Sequence, residues 1–181
     1  MHTASKIGGH AGEMTDSAKT RCCIAGGGPA GVMLGFLLAR AGIEVVVLEK
    51  HEDFLRDFRG DTIHPSTLQV IDELGLIAEF LSLPHHKVDR VRAVFGEAEL
   101  TLADFRTLPA EHRYIAFMPQ WDFLNFLAEH ASTYPAFSLR MSCEALRLVI
   151  HEGVVRGLVV RGPQREEEIR ADLVVAADGR D

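Results

Sequence analysis

The chain has 181 residues, of which 47% are hydrophobic, and its formal net charge is −7. This length and composition fit one domain with its own core and exclude a disordered tail or a fibre. The acidic balance argues against a nucleic-acid binder, and no apolar run reaches the roughly 18 residues that span a bilayer. Adjacent Cys22 and Cys23 would point to opposite faces of a strand, so with Cys143 we expect buried thiols in a reducing cytoplasm and no metal site.

The start of the chain predicts a leader followed by one βαβ unit. Residues 1–20 are small and polar, and we interpret them as a flexible leader. The unit consists of a strand over residues 21–25, a helix over 29–41 and an apolar strand over 44–49. Pro29 suits the first turn of a helix, where a missing N–H costs nothing. Gly42 suits the position just after the last turn.

The rest of the chain predicts helices and strands in a less regular order. Apolar residues at helical spacing indicate a helix over residues 65–83, broken at Gly75. The other predicted elements are a helix over 119–132 and strands over 88–95, 99–105, 137–141, 145–151, 154–161, 167–170 and 173–177. We expect the last of these strands to be buried on both faces. The pattern predicts an α/β fold with a parallel sheet and an antiparallel excursion.

A glycine-rich turn lies between the first strand and the first helix. Gly26, Gly28 and Gly31 match G-x-G-x-x-G. In such a motif the first glycine permits the turn, the second lets a pyrophosphate approach the backbone, and the third lets helix and strand pack closely. The helix that begins at Pro29 and Ala30 would present its N–H groups and positive dipole end to the phosphates.

An acidic residue, Glu49, ends the second predicted strand and is followed by Lys50. A carboxylate here accepts hydrogen bonds from ribose hydroxyls and disfavours a 2′-phosphate. The turn and the acid together predict a dinucleotide site that does not take NADP. The alternative is a glycine-rich turn without a ligand, with Glu49 as a solvated charge at a strand end.

The order of elements after Glu49 departs from that of an NAD dehydrogenase. The sequence resembles the FAD-dependent aromatic hydroxylases, the class A flavoprotein monooxygenases that include p-hydroxybenzoate hydroxylase and the ubiquinone-biosynthesis hydroxylases. Three stretches carry the resemblance: "GGGPAG…VVLEK", "FRGDTIHPSTLQVIDELGL" and "ADLVVAADGRD". Their order is more specific than the glycine motif alone.

The resemblance implies roles for residues outside the glycine turn. Arg59 matches an arginine near the FAD pyrophosphate and ribose, and Gln120 matches a flavin-contacting residue that opens a helix. Asp178, followed by Gly179, matches the aspartate of the family's D-G motif, which lies near the FAD pyrophosphate and ribityl chain. The alternatives are a surface charge for Arg59, a helix cap for Gln120 and a turn residue for Asp178.

The resemblance also implies a fold and a function. It predicts a Rossmann-like, glutathione-reductase-type FAD/NAD(P)-binding domain over residues 21–181, truncated, with the substrate domain missing. The activity implied is hydroxylation of an aromatic or polyketide-like small molecule, with FAD as cofactor and NAD(P)H as transient reductant. No catalytic residue is evident, and we expect the chain alone to be inactive and to self-associate through exposed apolar surface. Competing interpretations are a halogenase, a geranylgeranyl-type reductase, or a non-catalytic dinucleotide-binding fragment.

Overall fold

The predicted βαβ unit is present at the start of the fold. The structure is a computed structural model and describes residues 18–55 and 62–179. The unit consists of β1 (Ala18–Ala25), α1 (Pro29–Arg40) and β2 (Val45–Leu48). β1 begins earlier than predicted, so residues 18–20 belong to the sheet and not to a leader. The bounds of the remaining elements are β3 Thr62–Ile63, α2 Pro65–Glu73, α3 Ile77–Phe80, β4 His86–Val88, β5 Arg90–Phe95, β6 Ala98–Asp104, β7 Ile115–Phe117, α4 Gln120–Ser132, β8 Phe137–Arg140, β9 Glu144–His151, β10 Val154–Arg161 and β11 Glu166–Ala176.

Glycines end two of the helices where the sequence predicts it. Gly42 has φ +76° and donates its N–H to the Ala39 carbonyl, while the Ile43 N–H bonds Leu38, which is a Schellman cap on α1. Gly75 has φ +78° and caps α2 in the same way. The predicted helix over 65–83 is therefore two helices, α2 and α3.

The main sheet combines parallel and antiparallel pairing. Its strand order is β8-β2-β1-β11-β10-β9. The four strands β8, β2, β1 and β11 are parallel, whereas β10 pairs antiparallel with both β9 and β11. The predicted α/β fold with an antiparallel excursion is thus confirmed at the level of sheet topology.

The two predicted strands over 167–170 and 173–177 are wrong as separate elements, because β11 is continuous. Residues 166–170 pair antiparallel with β10 on one edge of the strand, and residues 169–176 pair parallel with β1 on the other edge. Asp172, which lies between the two predicted strands, is exposed, and its Oδ2 lies 2.7 Å from Nε of Arg21 on β1. A charge on the solvent side therefore does not interrupt the strand.

The predicted strand over 88–95 is present as β5, which begins two residues later, after β4 has ended at Val88. β4 pairs with β7 in a three-stranded sheet that includes β3, whereas β5 pairs with β6 in a separate hairpin. The hairpin turns at Gly96, which has φ +62°. β3 and β7 have two and three residues, too few for an alternating pattern, so the sequence did not indicate them.

The core occupies both faces of the main sheet. Cys22 packs on the α1 side with Ile24 and Val47, whereas Cys23 packs on the opposite face with Leu158. The adjacent cysteines therefore face opposite ways, as predicted. Burial raises the pKa of the Cys23 thiol to about 12, so this side chain behaves as a small hydrophobe.

A third apolar cluster holds the helices together. Phe80 of α3 makes edge contacts with Phe123 and Phe126 of α4, at ring-centroid distances of 6.0 and 5.1 Å. Phe36 of α1 and Leu68 of α2 are buried in the same cluster. No helix among the described residues is both long enough and apolar enough to cross a membrane.

Several large apolar side chains are exposed, and from them we predict self-association. Leu173, predicted to be buried, has an exposed fraction of 56%, because the cluster on the α1 side of the sheet includes Val175 of β11 and Ala177 just after it but does not reach Leu173. Val94 and Phe95 of the β5–β6 hairpin are exposed by 69% and 66%. Apolar patches at a protein surface mark association sites, and we expect these exposed side chains to contribute to such patches. In analytical ultracentrifugation we expect a concentration-dependent mass of at least twice the 20.0 kDa monomer.

The control for this prediction removes apolar surface without touching the core. In the variant Val94→Thr with Phe95→Ser, both changes fall on exposed positions, so the fold should persist while association weakens. A wild-type chain that remains monomeric at all concentrations would contradict the prediction.

Candidate functional site

The glycine turn, Glu49 and Asp178 lie together at the carboxyl ends of three neighbouring strands of the main sheet. The glycine turn follows β1, Glu49 follows β2 and Asp178 follows β11. β1 lies between the other two strands, with Ala25 opposite Leu48 on one side and Ala176 on the other. In open α/β sheets, ligands bind outside the carboxyl ends of the strands. The topology therefore brings these residues together where such a ligand would lie.

Gly26 brings the glycine turn into close contact with the segment after β11. It has φ +113°, and a Cβ added there would overlap the Ala177 carbonyl and lie 2.8 Å from the Asp178 nitrogen. Its N–H bonds the Leu48 carbonyl at 2.9 Å, and the Ala177 N–H bonds the Ala25 carbonyl at 2.7 Å. Only glycine has both the conformation and the size for this close approach.

Gly28 and Gly31 differ in what surrounds them. A Cβ on Gly31 would overlap the Gly26 carbonyl oxygen, so this glycine lets α1 pack against the turn. A Cβ on Gly28 would have no heavy atom of residues 18–55 or 62–179 within 4 Å. The backbone at Gly28 is therefore open to an approaching group.

The N-terminus of α1 suits an anion. Gly28 is the N-cap and Pro29 occupies the first turn. The first turn contains no acidic side chain, so nothing on the helix itself opposes the positive end of its dipole. This open cradle fits the pyrophosphate of a dinucleotide.

Glu49 is a buried carboxylate held against the glycine turn. Its Oε2 accepts a hydrogen bond from the Gly27 N–H at 3.1 Å. Its Oε1 accepts bonds from the His51 N–H at 3.0 Å and from the His51 Nδ1 at 2.6 Å. Sequence reasoning found Glu49 but missed Gly27 and His51. The one available signal was a histidine two residues after the acid.

The other predicted site residues have different environments. Lys50 and Asp178 are exposed, and Gly179 has φ +85°. Gln120 begins α4 and is half-buried, and in the described part of the chain that helix has no side-chain hydrogen bond at its N-cap. Arg59 lies outside the described residues. The cofactor roles of all these residues stay predictions.

Two surface cavities border the helices α1 and α2. A cavity of about 360 Å³ is mostly apolar and is lined in part by Pro29 and Ala30 of α1 and Phe123 of α4. A larger, open one of about 880 Å³ lies between α2 and residues 108–113 and shares no lining residue with the glycine turn. Within the described ranges, no three His, Cys, Asp or Glu side chains are grouped as metal ligands.

Comparison with known proteins agrees with this geometry. A family model described as an FAD binding domain matches residues 19–181. The 6-methylpretetramide 4-monooxygenase of Streptomyces rimosus is 34% identical over 172 residues, which are 95% of this chain and 41% of that protein. The chain spans less than half the length of the curated relatives it matches.

Solved structures share the fold. The anhydrotetracycline hydroxylase OxyS of Streptomyces rimosus superposes with a TM-score of 0.75 at 27% identity, covering 89% of this chain and 32% of that one. The myxobacterial chondrochloren halogenase CndH superposes with a TM-score of 0.77 at 21% identity, covering 90% of this chain and 38% of the halogenase. The second likeness shows the fold alone.

Proposed function

This chain belongs to the FAD binding domain family, and on that premise we propose that it is the FAD-binding portion of an NAD(P)H-dependent flavoprotein monooxygenase. The observation that carries the proposal is the open glycine turn, which lies beside the buried Glu49 and the Asp178 segment. The proposed substrate is an aromatic or polyketide-like small molecule, by analogy with the 6-methylpretetramide 4-monooxygenase. FAD would supply the redox and oxygen chemistry, and the protein would bind and orient it.

Each part of the site has a proposed task. Gly28, Ala30 and the following residues at the N-terminus of α1 would hold the pyrophosphate through backbone N–H groups, while Pro29, which has no N–H, would fix the first turn of the helix. Glu49 would accept hydrogen bonds from the adenosine ribose. The resemblance assigns Arg59 to the pyrophosphate and ribose, Asp178 with Gly179 to the pyrophosphate and ribityl chain, and Gln120 to the flavin. The strand β11, which pairs antiparallel with β10 and parallel with β1, supports a glutathione-reductase-type FAD fold.

The rival functions share this fold, so the fold does not separate them. The halogenase likeness is at 21% identity, whereas the monooxygenase relative is 34% identical over nearly the whole chain, which favours hydroxylation. We expect the 181-residue chain alone to bind FAD without oxidising NADPH at a useful rate, because the matched residues are only 41% of the monooxygenase relative. Three free, buried thiols support a reducing, cytoplasmic location.

Direct titration with FAD tests the proposal. The purified chain should quench flavin fluorescence at a stoichiometry of one FAD per chain and retain the visible flavin spectrum after gel filtration. NAD should compete poorly. A folded chain with no affinity for FAD would refute the proposed function.

We predict that Glu49→Gln weakens FAD binding about tenfold, because hydrogen bonds to a charged acceptor contribute about 1.5–3 kcal/mol. The amide keeps one acceptor oxygen and nearly the same shape, so the loss reports on charge. Flavin fluorescence titration measures it. The matched control is Glu44→Gln, at an exposed position just before β2. If Glu49→Gln binds FAD with unchanged affinity, Glu49 does not bind the ribose.

A further inference from the structure

A histidine beside the proposed ribose-binding acid has no role in the function described above. We propose that His51 is a positioning residue, which holds the Glu49 carboxylate in the orientation that receives the adenosine ribose. This inference rests on the proposed FAD-binding function. It assigns His51 no contact with the cofactor itself.

The first argument is the geometry of the carboxylate. Two contacts from His51 converge on Oε1 of Glu49, one from the His51 backbone nitrogen at 3.0 Å and one from its Nδ1 at 2.6 Å. An ionised carboxylate only accepts, so Nδ1 carries the proton in this contact. Short bonds to a charged acceptor are the stronger ones. The Glu49 side chain is 5% exposed, so this contact is shielded from competing water, although the imidazole itself is 44% exposed.

The second argument is that His51 is itself fixed. The Ser142 N–H donates to the His51 carbonyl at 2.7 Å, and the Cys143 N–H donates to the Glu49 carbonyl at 2.8 Å. The Glu49 N–H in turn bonds the Arg140 carbonyl at 2.9 Å. Backbone hydrogen bonds to the end of β8 and the segment after it therefore hold the segment after β2 in place. Ser142 adopts φ +52° to do so, an uncommon conformation for a residue with a side chain.

The third argument is the effect of these hydrogen bonds on the affinity for a ligand. A glutamate side chain has several rotatable bonds, and ordering it on binding costs affinity. Here Gly27 holds Oε2 and His51 holds Oε1, so the carboxylate is ordered before a ligand arrives. A Cβ on Gly27 would lie 2.7 Å from the Glu49 Cβ, so the acid and the glycine turn are already in close contact.

The test compares two substitutions in the full chain. His51→Ala removes the imidazole but keeps the backbone N–H, and His51→Asn places an amide donor close to the position of Nδ1. We expect His51→Ala to weaken FAD binding about tenfold, the loss of one charge-assisted hydrogen bond, and His51→Asn to recover most of it. In a Glu49→Gln background, His51→Ala should add little further loss, because the two residues act through one contact. His151→Ala, at an exposed position on β9, is the control.

A measurement without FAD separates this proposal from the proposed function. Nitrogen-15 NMR of the wild-type imidazole should show neutral His51 protonated at Nδ1, and Glu49→Gln should redistribute the tautomers. If the chain binds FAD but His51→Ala weakens binding by the same factor in the wild-type and Glu49→Gln backgrounds, His51 does not act through Glu49 and the positioning role is overturned. Protonation at Nε2 alone overturns it as well. If the wild-type chain does not bind FAD, the proposed function fails first and the positioning role falls with it.

Discussion

Replacing Gly28 with valine is expected to abolish FAD binding while leaving the chain folded. Gly28 has φ −74° and ψ −177°, a conformation open to any residue, so the substitution introduces no backbone strain. Among the described residues, no heavy atom lies within 4 Å of an added Cβ. The new side chain would instead fill the space proposed for the pyrophosphate. Losing two or more charge-assisted hydrogen bonds of about 1.5–3 kcal/mol each lowers the affinity at least about 100-fold.

Fluorescence titration measures that loss, and circular dichroism checks the fold. Gly162→Val is the matched control, because this turn glycine is remote in the chain from the motif and an added Cβ meets its nearest described neighbours only at 3.6 Å or more. The control should bind FAD like the wild type. If Gly28→Val binds FAD with unchanged affinity, the pyrophosphate does not lie at the glycine turn.

Replacing Gly26 with alanine is expected to destabilise the fold by about 3 kcal/mol or more. A residue with a side chain at φ +113° is strained by about 1–3 kcal/mol, and a Cβ here also overlaps the Ala177 carbonyl. Forcing an atom into a packed backbone contact costs about 1–3 kcal/mol more. Because Gly26 touches both β1 and the end of β11, the damage reaches the centre of the sheet.

Thermal unfolding followed by circular dichroism measures this effect. For a chain of this size 1 kcal/mol shifts the Tm by about 2–4 °C, so we expect a decrease of about 6 °C or more. Gly42→Ala is the control, since Gly42 also has positive φ but no described heavy atom lies within 4 Å of an added Cβ. That change should cost only about 1–2 kcal/mol, the conformational penalty alone. Equal effects of the two substitutions would show that the contact with Ala177 is unimportant.

The amino-acid sequence was sufficient for features that depend on neighbours in the chain. Pro29 marks the start of α1, because the first turn of a helix tolerates proline. Gly42 marks its end, because a Schellman cap requires a residue with positive φ. The tasks of Gly26 and Gly31 followed from a motif whose spacing is set by one strand-to-helix turn. The opposite facing of Cys22 and Cys23 followed from strand geometry alone.

Other features depend on residues far apart in the chain, and no local pattern predicts them. β11 runs through Asp172 because β1 pairs with it on both sides of this residue, over 169–176, with Arg21 opposite the charge, while β10 pairs with the other edge over 166–170. Leu173 is exposed because burial depends on what packs against a residue, not on the strand's own composition.

In the candidate site, too, some features follow from neighbouring residues in the chain and others from the tertiary structure. Its glycines and its acid were evident from the sequence, because each lies at a fixed distance from a strand end. The partners of Glu49 were decided by the tertiary structure, which sets Gly27 against Oε2 and orients His51 through the segment after β8. A hydrogen bond forms only when donor and acceptor share a distance and an angle, and here that geometry is created by three neighbouring strands in a sheet rather than by the order of their residues.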